Sequence, residues 1–174
     1  MQISSPIDQL TEKAKQVLNE ITYLTLATVD KEGHPWNSPV YYGFDEDYTF
    51  YWSSWIENQH SQNIINNGQV FAVVYDSTAL SGEGFGVYFK GIAEVIETEN
   101  KIFNKAIDTI YTKNGKPKRD KKYFLNSGPR RLFQFMPTTI WVNVKEPYED
   151  YFLDKRVDIT REIISNPVKQ LQNG

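Results

Sequence analysis

The sequence predicts a mainly β domain of the α+β class, an antiparallel barrel or strongly curled sheet of about six strands with short flanking helices. Short runs of β-branched and aromatic residues recur along the chain, and polar turns separate them. Helical periodicity is confined to a few segments, which is too sparse for the strand–helix alternation of a parallel doubly wound fold. The length of 174 residues suits one domain. We therefore expect a single domain over residues 1–174, with its core at about 20–145.

An amphipathic helix is predicted at residues 5–21. Ser5 is a cap residue, and Pro6 suits the first helical position. Apolar residues then recur at steps of three and four, which indicates a face packed on a sheet. They are Ile7, Leu10, Ala14, Val17, Leu18 and Ile21.

Three strands are predicted next, at Tyr23–Val29, Pro35–Phe44 and Tyr48–Ser53. The sequence Asp-Lys-Glu-Gly at 30–33 supplies the turn of a hairpin, and Asp-Glu-Asp at 45–47 supplies a second turn. Strands that follow one another through such short turns form an antiparallel meander.

The polar stretch Ser54–Asn67 is predicted as a short helix that ends at Gly68. Strands at Gln69–Tyr75 and Phe85–Ile96 follow it. A second amphipathic helix is predicted at Thr98–Tyr111. This part of the chain continues the sheet and adds a covering helix.

The last third of the chain completes the sheet. Residues 112–122 are a basic loop, which we interpret as a solvated turn. Strands at Arg131–Phe135 and Thr138–Val144 are predicted to be joined at Pro137. A C-terminal tail of mixed character occupies residues 148–174.

Composition excludes several classes of function. A net charge of −3 argues against a nucleic-acid partner. The chain has no cysteine and only two histidines, His34 and His60, so we expect no metal site. No segment has the apolar length of a membrane span, and the amino terminus lacks a secretion signal, so we expect a cytoplasmic protein without a membrane partner. Dinucleotide, P-loop and nucleophile-elbow motifs are also missing from the sequence.

The stretch Phe50–Ile64 carries the most distinctive polar chemistry. The hydroxyls of Ser53 and Ser54, the amide of Asn58 and the free N–H groups that open the following helix could converge on a phosphate. In the alternative interpretation Ser54 only caps the helix, and the polar residues after it face water. The spacing alone leaves both interpretations open.

Seven segments in order resemble one known family. They are Tyr23-Leu-Thr-Leu-Ala-Thr-Val-Asp, Gly33-His-Pro, Pro39-Val-Tyr-Tyr, Phe50-Tyr-Trp-Ser-Ser, His60-Ser-Gln-Asn-Ile, Val87-Tyr-Phe-Lys-Gly-Ile-Ala-Glu-Val and Phe135-Met-Pro-Thr-Thr-Ile-Trp-Val. The chain is thereby similar to the pyridoxamine 5'-phosphate oxidase-like split β-barrels that bind flavin mononucleotide (FMN). The resemblance implies an antiparallel split β-barrel, a homodimer with the cofactor at the subunit interface, and a small-molecule substrate.

The resemblance also implies which residues hold the cofactor. The second strand would lie along the flavin ring, the end of the third strand and the next helix would hold the ribityl phosphate, and a tryptophan would approach from the partner subunit. The implied cofactor-binding residues are Asn37, Ser38, Pro39, Val40, Ser53, Ser54, Asn58, Gln59, His60 and Trp141. Tyr41 and Trp55 are candidates for an aromatic wall around the substrate, and no catalytic residue is assigned.

The sequence departs from the family pattern at two sites. Gln59 and His60 stand where members usually carry Arg and Lys for charge-assisted contacts with the phosphate, so His60 made cationic by the phosphate, or Lys90, would have to substitute. The substrate-gripping Arg-x-His-x-Arg motif finds its best match in Phe152–Arg156, where only Arg156 remains as a substrate residue. We therefore predict a flavin-dependent oxidoreductase for an unidentified small substrate, not a vitamin B6 oxidase.

Other functions stay open. The chain could bind flavin, deazaflavin or haem without catalysis, with His60 or His34 as a possible axial ligand of haem. His34 lies in the turn Lys31–Pro35 and is predicted to be an exposed turn residue. A dimeric domain with a degraded cofactor site is the third possibility.

Overall fold

A computed structural model describes residues 5–125 and 127–164, which form four α-helices, one 3-10 helix and seven strands. The helices are α1 (Pro6–Glu20), α2 (Gln59–Asn66), α3 (Phe103–Lys113) and α4 (Thr160–Ile163), and the 3-10 helix is Lys121–Tyr123. The strands are β1 (Tyr23–Val29), β2 (Pro35–Phe44), β3 (Phe50–Trp55), β4 (Gln69–Tyr75), β5 (Gly86–Ile96), β6 (Arg130–Tyr148) and β7 (Tyr151–Asp158). Residues 1–4 of the predicted domain and 165–174 of the predicted tail lie outside the described residues.

The strands form one antiparallel sheet in the order β3-β2-β1-β4-β5-β6-β7, and an additional pairing of β3 with β6 closes it into a barrel. The closing pairs run from Phe50 opposite Phe135 to Trp55 opposite Arg130. The predicted antiparallel split barrel is therefore confirmed. The seventh strand, β7, comes from the segment that the sequence left as a mixed tail, and it pairs with the second half of β6.

The prediction of two strands joined at Pro137 was wrong, because β6 runs unbroken for 19 residues. The register between β5 and β6 shifts between Lys90 and Gly91, opposite Pro137. A proline has no N–H group to donate to the ladder, and a bulge is a position where this loss is tolerated. A Cβ atom at Gly91 would collide with the backbone of Met136 and Pro137, so the bulge also requires glycine.

Helices α2 and α3 begin after their predicted starts. Ser54 and Trp55 continue β3 because their neighbours on β6 extend the ladder there, so α2 begins only at Gln59. The interpretation of Ser54 as the cap of this helix was therefore wrong, and Asn58 occupies the cap position. Helix α3 begins at Phe103, after a turn through 97–100.

The predicted amphipathic face of α1 is confirmed. Ser5 and Asp8 form a capping box, and Ala14 and Leu18 are fully buried against the barrel core. The Tyr42 hydroxyl, inside the barrel, donates to the Leu18 carbonyl at 2.8 Å. Helix α3 covers a second apolar cluster on the outside of the barrel. None of the helices in the described ranges is long and apolar enough to cross a membrane.

Candidate functional site

The outer face of β2 carries predicted flavin-binding residues in a row. Val40 and Tyr42 are buried in the barrel core. Because side chains alternate along a strand, Asn37, Pro39 and Tyr41 face the other way. Asn37 and Pro39 are exposed, and the ring of Tyr41 is half-buried.

Strand β3 extends this row. Trp52 is buried in the core, so Ser53 and Ser54 face opposite sides of the sheet, and Trp55 lies on the side of Ser53 with 49% of its surface exposed. We call the combined row the outer ledge. It consists of Asn37, Pro39, Tyr41, Ser53 and Trp55.

Ser54 and His60 belong instead to a buried group at the end of the barrel. The Ser54 hydroxyl lies 2.7 Å from Nε2 of His60, and the Ser38 hydroxyl lies 3.2 Å from Nδ1. The same helix also donates a hydrogen bond from the Asn63 amide to the Thr28 hydroxyl at 3.0 Å. We call these five residues the barrel-end network, which ties α2 to β1, β2 and β3.

The His60 ring is uncharged in this setting. Burial lowers the pKa of His60 from its ordinary value of 6.5. A neutral imidazole has one donor and one acceptor nitrogen, and two hydroxyl groups satisfy both. The ring therefore does not replace the missing family cation as the protein stands, and it holds Ser38 and Ser54 in place.

Asn58 and Gln59 are exposed at the start of α2. The Asn58 side-chain amide donates to the Ser54 hydroxyl at 3.4 Å and makes no capping hydrogen bond to the helix. The Gln59 amide donates to the Asn63 side chain at 2.8 Å. Of the residues predicted to hold the phosphate, the structure brings Ser54, Asn58 and His60 together, whereas Ser53 faces the other side of β3.

Arg130, which the sequence analysis missed, lies beside the outer ledge. It is the first residue of β6, opposite Trp55, and its Nη2 donates to the Ser53 carbonyl at 2.7 Å. Its Nε is buried without a hydrogen-bond partner. Arg131 points to the other side and holds the preceding loop, through the carbonyls of Leu125 and Gly128 at 3.1 and 2.9 Å.

Arg119 and Arg130 both affect the pKa of the buried Tyr111 hydroxyl. Burial raises the pKa of the Tyr111 hydroxyl, and the nearby guanidinium groups of Arg119 and Arg130 oppose that rise. The Tyr41 hydroxyl also raises the pKa of Tyr111, and it is itself buried without a hydrogen-bond partner. Arg119 belongs to the loop that we interpreted as a solvated turn, and its exposure agrees with that interpretation. In the sequence, the arginines near aromatic residues were the signal that could have pointed to Arg119 and Arg130.

Trp141 and Arg156 lie on a different part of the sheet. The Trp141 ring stacks on Phe71 at 6.2 Å, and the Arg156 guanidinium lies 3.9 Å above the ring of Tyr88. These residues are on β4 to β7, away from the ledge on β2 and β3. Within one chain the structure therefore does not bring Trp141 or Arg156 to the predicted cofactor strand.

Lys90, the other candidate cation, faces the same side of the sheet as Asn37, but β1 and β4 lie between them. It lines a cavity of about 370 Å³ over β1, β4 and β5, together with Ala27, Phe71 and Thr138. It pairs with Phe71 on β4 and with Thr139 on β6. Lys90 therefore does not substitute for a cation at Ser53 within the same chain.

His34 is exposed, as predicted, with 77% of its side-chain surface accessible. Its Nδ1 lies 3.2 Å from the Asp30 carboxylate, and Glu32 comes close to both. The Asp30 carboxylate also accepts from the backbone N–H groups of Glu32 and His34, at 3.0 and 2.8 Å. These bonds are those of a tight turn between β1 and β2.

Comparisons with known proteins agree with the fold. Residues 10–143 match the family model described as pyridoxamine 5'-phosphate oxidase. No curated protein matches the sequence.

Solved structures similar to the chain include HutZ, the haem storage protein from Vibrio cholerae, with 21% identity over 74% of this chain and 89% of that chain, and a TM-score of 0.63. A haem-binding protein from Mycobacterium smegmatis has 18% identity over 86% of this chain and 57% of its own, with a TM-score of 0.64. A proposed pyridoxamine 5'-phosphate oxidase from Listeria innocua has 19% identity over 76% of this chain and 97% of its own, with a TM-score of 0.57. At these identities the similarity establishes the fold alone.

Proposed function

The chain belongs to the pyridoxamine 5'-phosphate oxidase family, and from that premise we propose that it is an FMN-binding homodimer that acts as a flavin-dependent oxidoreductase on a small substrate. The observation that supports this most is the outer ledge. It presents an exposed amide, Asn37, a hydroxyl, Ser53, and an exposed indole, Trp55, in one row along two neighbouring strands. A planar ring with a polar edge fits such a row.

The residues present fit FMN. The ledge offers apolar surface at Pro39 and Trp55 for the ring, and hydrogen-bonding groups at Asn37 and Ser53 for its polar edge and ribityl chain. The Tyr41 hydroxyl is buried without a hydrogen-bond partner in the described chain. FMN, when bound, would supply the hydride chemistry, and the protein would orient it.

The barrel-end network lies on the opposite face of β2 and β3 from the ledge. His60 fixes the hydroxyls of Ser38 and Ser54, whose neighbours in sequence form the ledge. Residues locked in this way hold a binding strand in one geometry, which reduces the free energy of ordering upon binding. Ser38, Ser54 and His60 are thus proposed to position the cofactor strand, and Val40 to anchor it in the core.

A homodimer would complete the groove. The hairpin of β6 and β7 exposes large side chains at its tip, where Tyr148, Tyr151, Phe152 and Leu153 are 50–71% exposed. Exposed large apolar side chains of this kind are typical of a protein interface. Trp141 lies away from the ledge of its own chain, so its proposed contact with the flavin would be made across this interface.

The substrate is proposed to differ from pyridoxamine 5'-phosphate. Arg156 stacks on Tyr88 and lacks the arginine and histidine companions of the vitamin B6 oxidases. The Trp55 and Tyr41 rings instead favour a small, partly aromatic substrate.

An absorption spectrum of the purified protein tests the proposal. The protein is incubated with FMN, and free FMN is then removed by gel filtration. The expected result is flavin absorption bands that stay with the protein and are bleached by a nicotinamide donor. A spectrum without flavin bands after loading would contradict FMN binding, and formation of pyridoxal 5'-phosphate from pyridoxamine 5'-phosphate would contradict the assignment of the substrate.

Haem binding is a second candidate, because two structural relatives are described as haem proteins and His34 offers an accessible imidazole. Asp30 engages Nδ1 of His34, an arrangement that orients a histidine for ligation through Nε2. A Soret band upon addition of haemin, lost in His34→Ala, would support this candidate. No Soret shift between the two proteins would reject His34 as the ligand.

A further inference from the structure

Lys113, the last residue of α3, is a half-buried lysine that pairs with no carboxylate among the described residues. Its Nζ donates to the Ile21 carbonyl at the end of α1, at 2.9 Å, and lies 4.3 Å from the centroid of the Tyr42 ring. These two contacts hold the amine in place between α1, α3 and β2. Burial lowers the pKa of Lys113 from 10.5 to about 8, so a substantial fraction of the amine is uncharged near neutral pH.

Lys113 also lines two cavities, of about 570 and 360 Å³. The larger cavity lies between the end of α1, the β2–β3 turn and α3. Phe44 and Tyr48 form an apolar wall of this cavity, with ring centroids 5.4 Å apart and ring planes 18° from parallel. A space of this size, with one apolar wall and a few polar groups, suits a small molecule.

The other titratable groups that line the two cavities are mostly acidic. They are Glu20 from α1, Tyr41 from β2, Asp45, Glu46 and Tyr48 from the β2–β3 turn, Asp108 from α3, and Lys116 after it. Three of the four carboxylates are ion-paired with Lys105 or Lys118, and the fourth accepts a hydrogen bond from Gln16. Four carboxylates therefore face three lysines other than Lys113, and this excess favours an adduct of Lys113 that keeps a positive charge over an anionic one.

We propose that Lys113 is a covalent binding site for a small aldehyde, which forms an imine with Nζ while its apolar body packs against Phe44 and Tyr48. The lone pair of the uncharged nitrogen attacks the carbonyl carbon, and one N–H proton moves to the oxygen. The second N–H proton then leaves with the hydroxyl as water, and the imine remains. A lysine desolvated beside a cavity is suited to this step, and the acidic surroundings stabilise the protonated imine. None of the outer-ledge residues lines the larger cavity, so the site does not depend on the proposed function.

Reductive labelling of the wild-type protein locates the reactive amine. The protein is treated at about pH 7.5 with less than one equivalent of benzaldehyde and with cyanoborohydride, which transfers a hydride to the imine carbon and makes the adduct permanent. Mass spectrometry of the peptides then gives the amount of label on each lysine. We expect Lys113 to carry at least about ten times as much label as Lys116, its exposed neighbour. Equal label on the two lysines would overturn the proposal.

Competition with a free lysine derivative in the same tube gives the pH dependence. The ratio of label on Lys113 to label on the free amine should be highest near neutral pH and should fall above about pH 8. The reason is that the free amine becomes uncharged only near pH ~10.4. A ratio that does not change with pH would show that Lys113 reacts as an ordinary surface amine and would refute the site.

Tyr48→Asn tests whether the aldehyde occupies the larger cavity. Tyr48 has a φ of 56°, a left-handed conformation that asparagine tolerates well, so the variant should fold. It removes one ring from the apolar wall and leaves the contacts of Lys113 in place. We expect labelling of Lys113 by benzaldehyde to fall about threefold, and labelling by formaldehyde, which has no apolar body, to stay the same. An equal effect on both aldehydes, or none on either, would reject the cavity as the binding site.

Discussion

The barrel-end network and the outer ledge lie on opposite faces of the same two strands, and they differ in how well their polar groups are paired. In the network, both His60 nitrogens meet serine hydroxyls and the Asn63 amide meets Thr28. Beside the ledge, the Tyr41 hydroxyl and Arg130 Nε are buried without partners. A saturated network stabilises the fold, whereas a buried donor without a partner costs free energy. Adjacent residues such as Ser53 and Ser54 therefore have different roles.

Removal of His60 should produce the largest effect on stability. His60→Ala removes one hydrogen-bond partner from each of Ser38 and Ser54 and opens a cavity, so we expect a loss on the order of 3 kcal/mol in the free energy of unfolding. Gln59→Ala, its exposed neighbour, should change stability by less than about 0.5 kcal/mol. Urea denaturation measures both, and equal losses in the two variants would contradict the division between the faces.

Stability should also depend on pH through His60. Burial lowers its pKa in the folded protein below the ordinary 6.5, so the unfolded chain binds the proton more readily. The stability that the neutral ring provides is present above pH 6.5 and is lost as the pH falls from there toward the folded pKa. His60→Gln should flatten this slope and His34→Gln should not, as urea midpoints across this range would show. An identical slope in His60→Gln would refute the assignment to His60.

The two serines provide a sharper comparison. Ser54→Ala should lower stability by about 1 kcal/mol, since it removes a hydroxyl partner of His60, and should alter FMN affinity only slightly. Ser53→Ala should leave stability unchanged and weaken FMN binding. Unfolding and binding titrations of both variants decide the matter. The reverse assignment of effects would place the phosphate site on the barrel-end side.

Tyr41 and Tyr42 give the smallest contrast. Tyr42→Phe removes a hydrogen bond to the Leu18 carbonyl and should cost about 1 kcal/mol of stability. Tyr41→Phe removes a hydroxyl without a partner, so it should leave stability equal or slightly higher. A clear stability loss in Tyr41→Phe, measured by denaturation, would show that its hydroxyl is paired in solution.

Local sequence patterns predicted much of the fold. The bounds of β1 and β4 match the runs of β-formers, because alternation and flanking turns are encoded within each strand. The patterns misjudged Ser54 and Pro137, whose conformations depend on neighbours on β6 and β5 that are distant in sequence. Strand pairing decides such positions, and no local signal reports it.

The residues of the candidate site likewise divide into those that could be predicted from the sequence and those that could not. The resemblance to a family indicated Asn37 and Ser53, and the structure places them on one face. The burial of His60 and the position of Arg130 could not be predicted, because both result from closure of the barrel. A basic residue at the start of a strand is ordinary in sequence, and only the β3–β6 pairing places it at Ser53.

The β3–β6 pairing also affects the order in which the parts of the protein fold. Arg130 and Ser53 are 77 residues apart in the chain, and contacts of such separation carry a large loop-closure entropy and form late in folding. The ledge would then gain its guanidinium only when the barrel closes. A nascent chain that ends before β6 can form the β1–β2 hairpin but has no such group beside Ser53, so the surroundings of Ser53 are complete only after synthesis and closure.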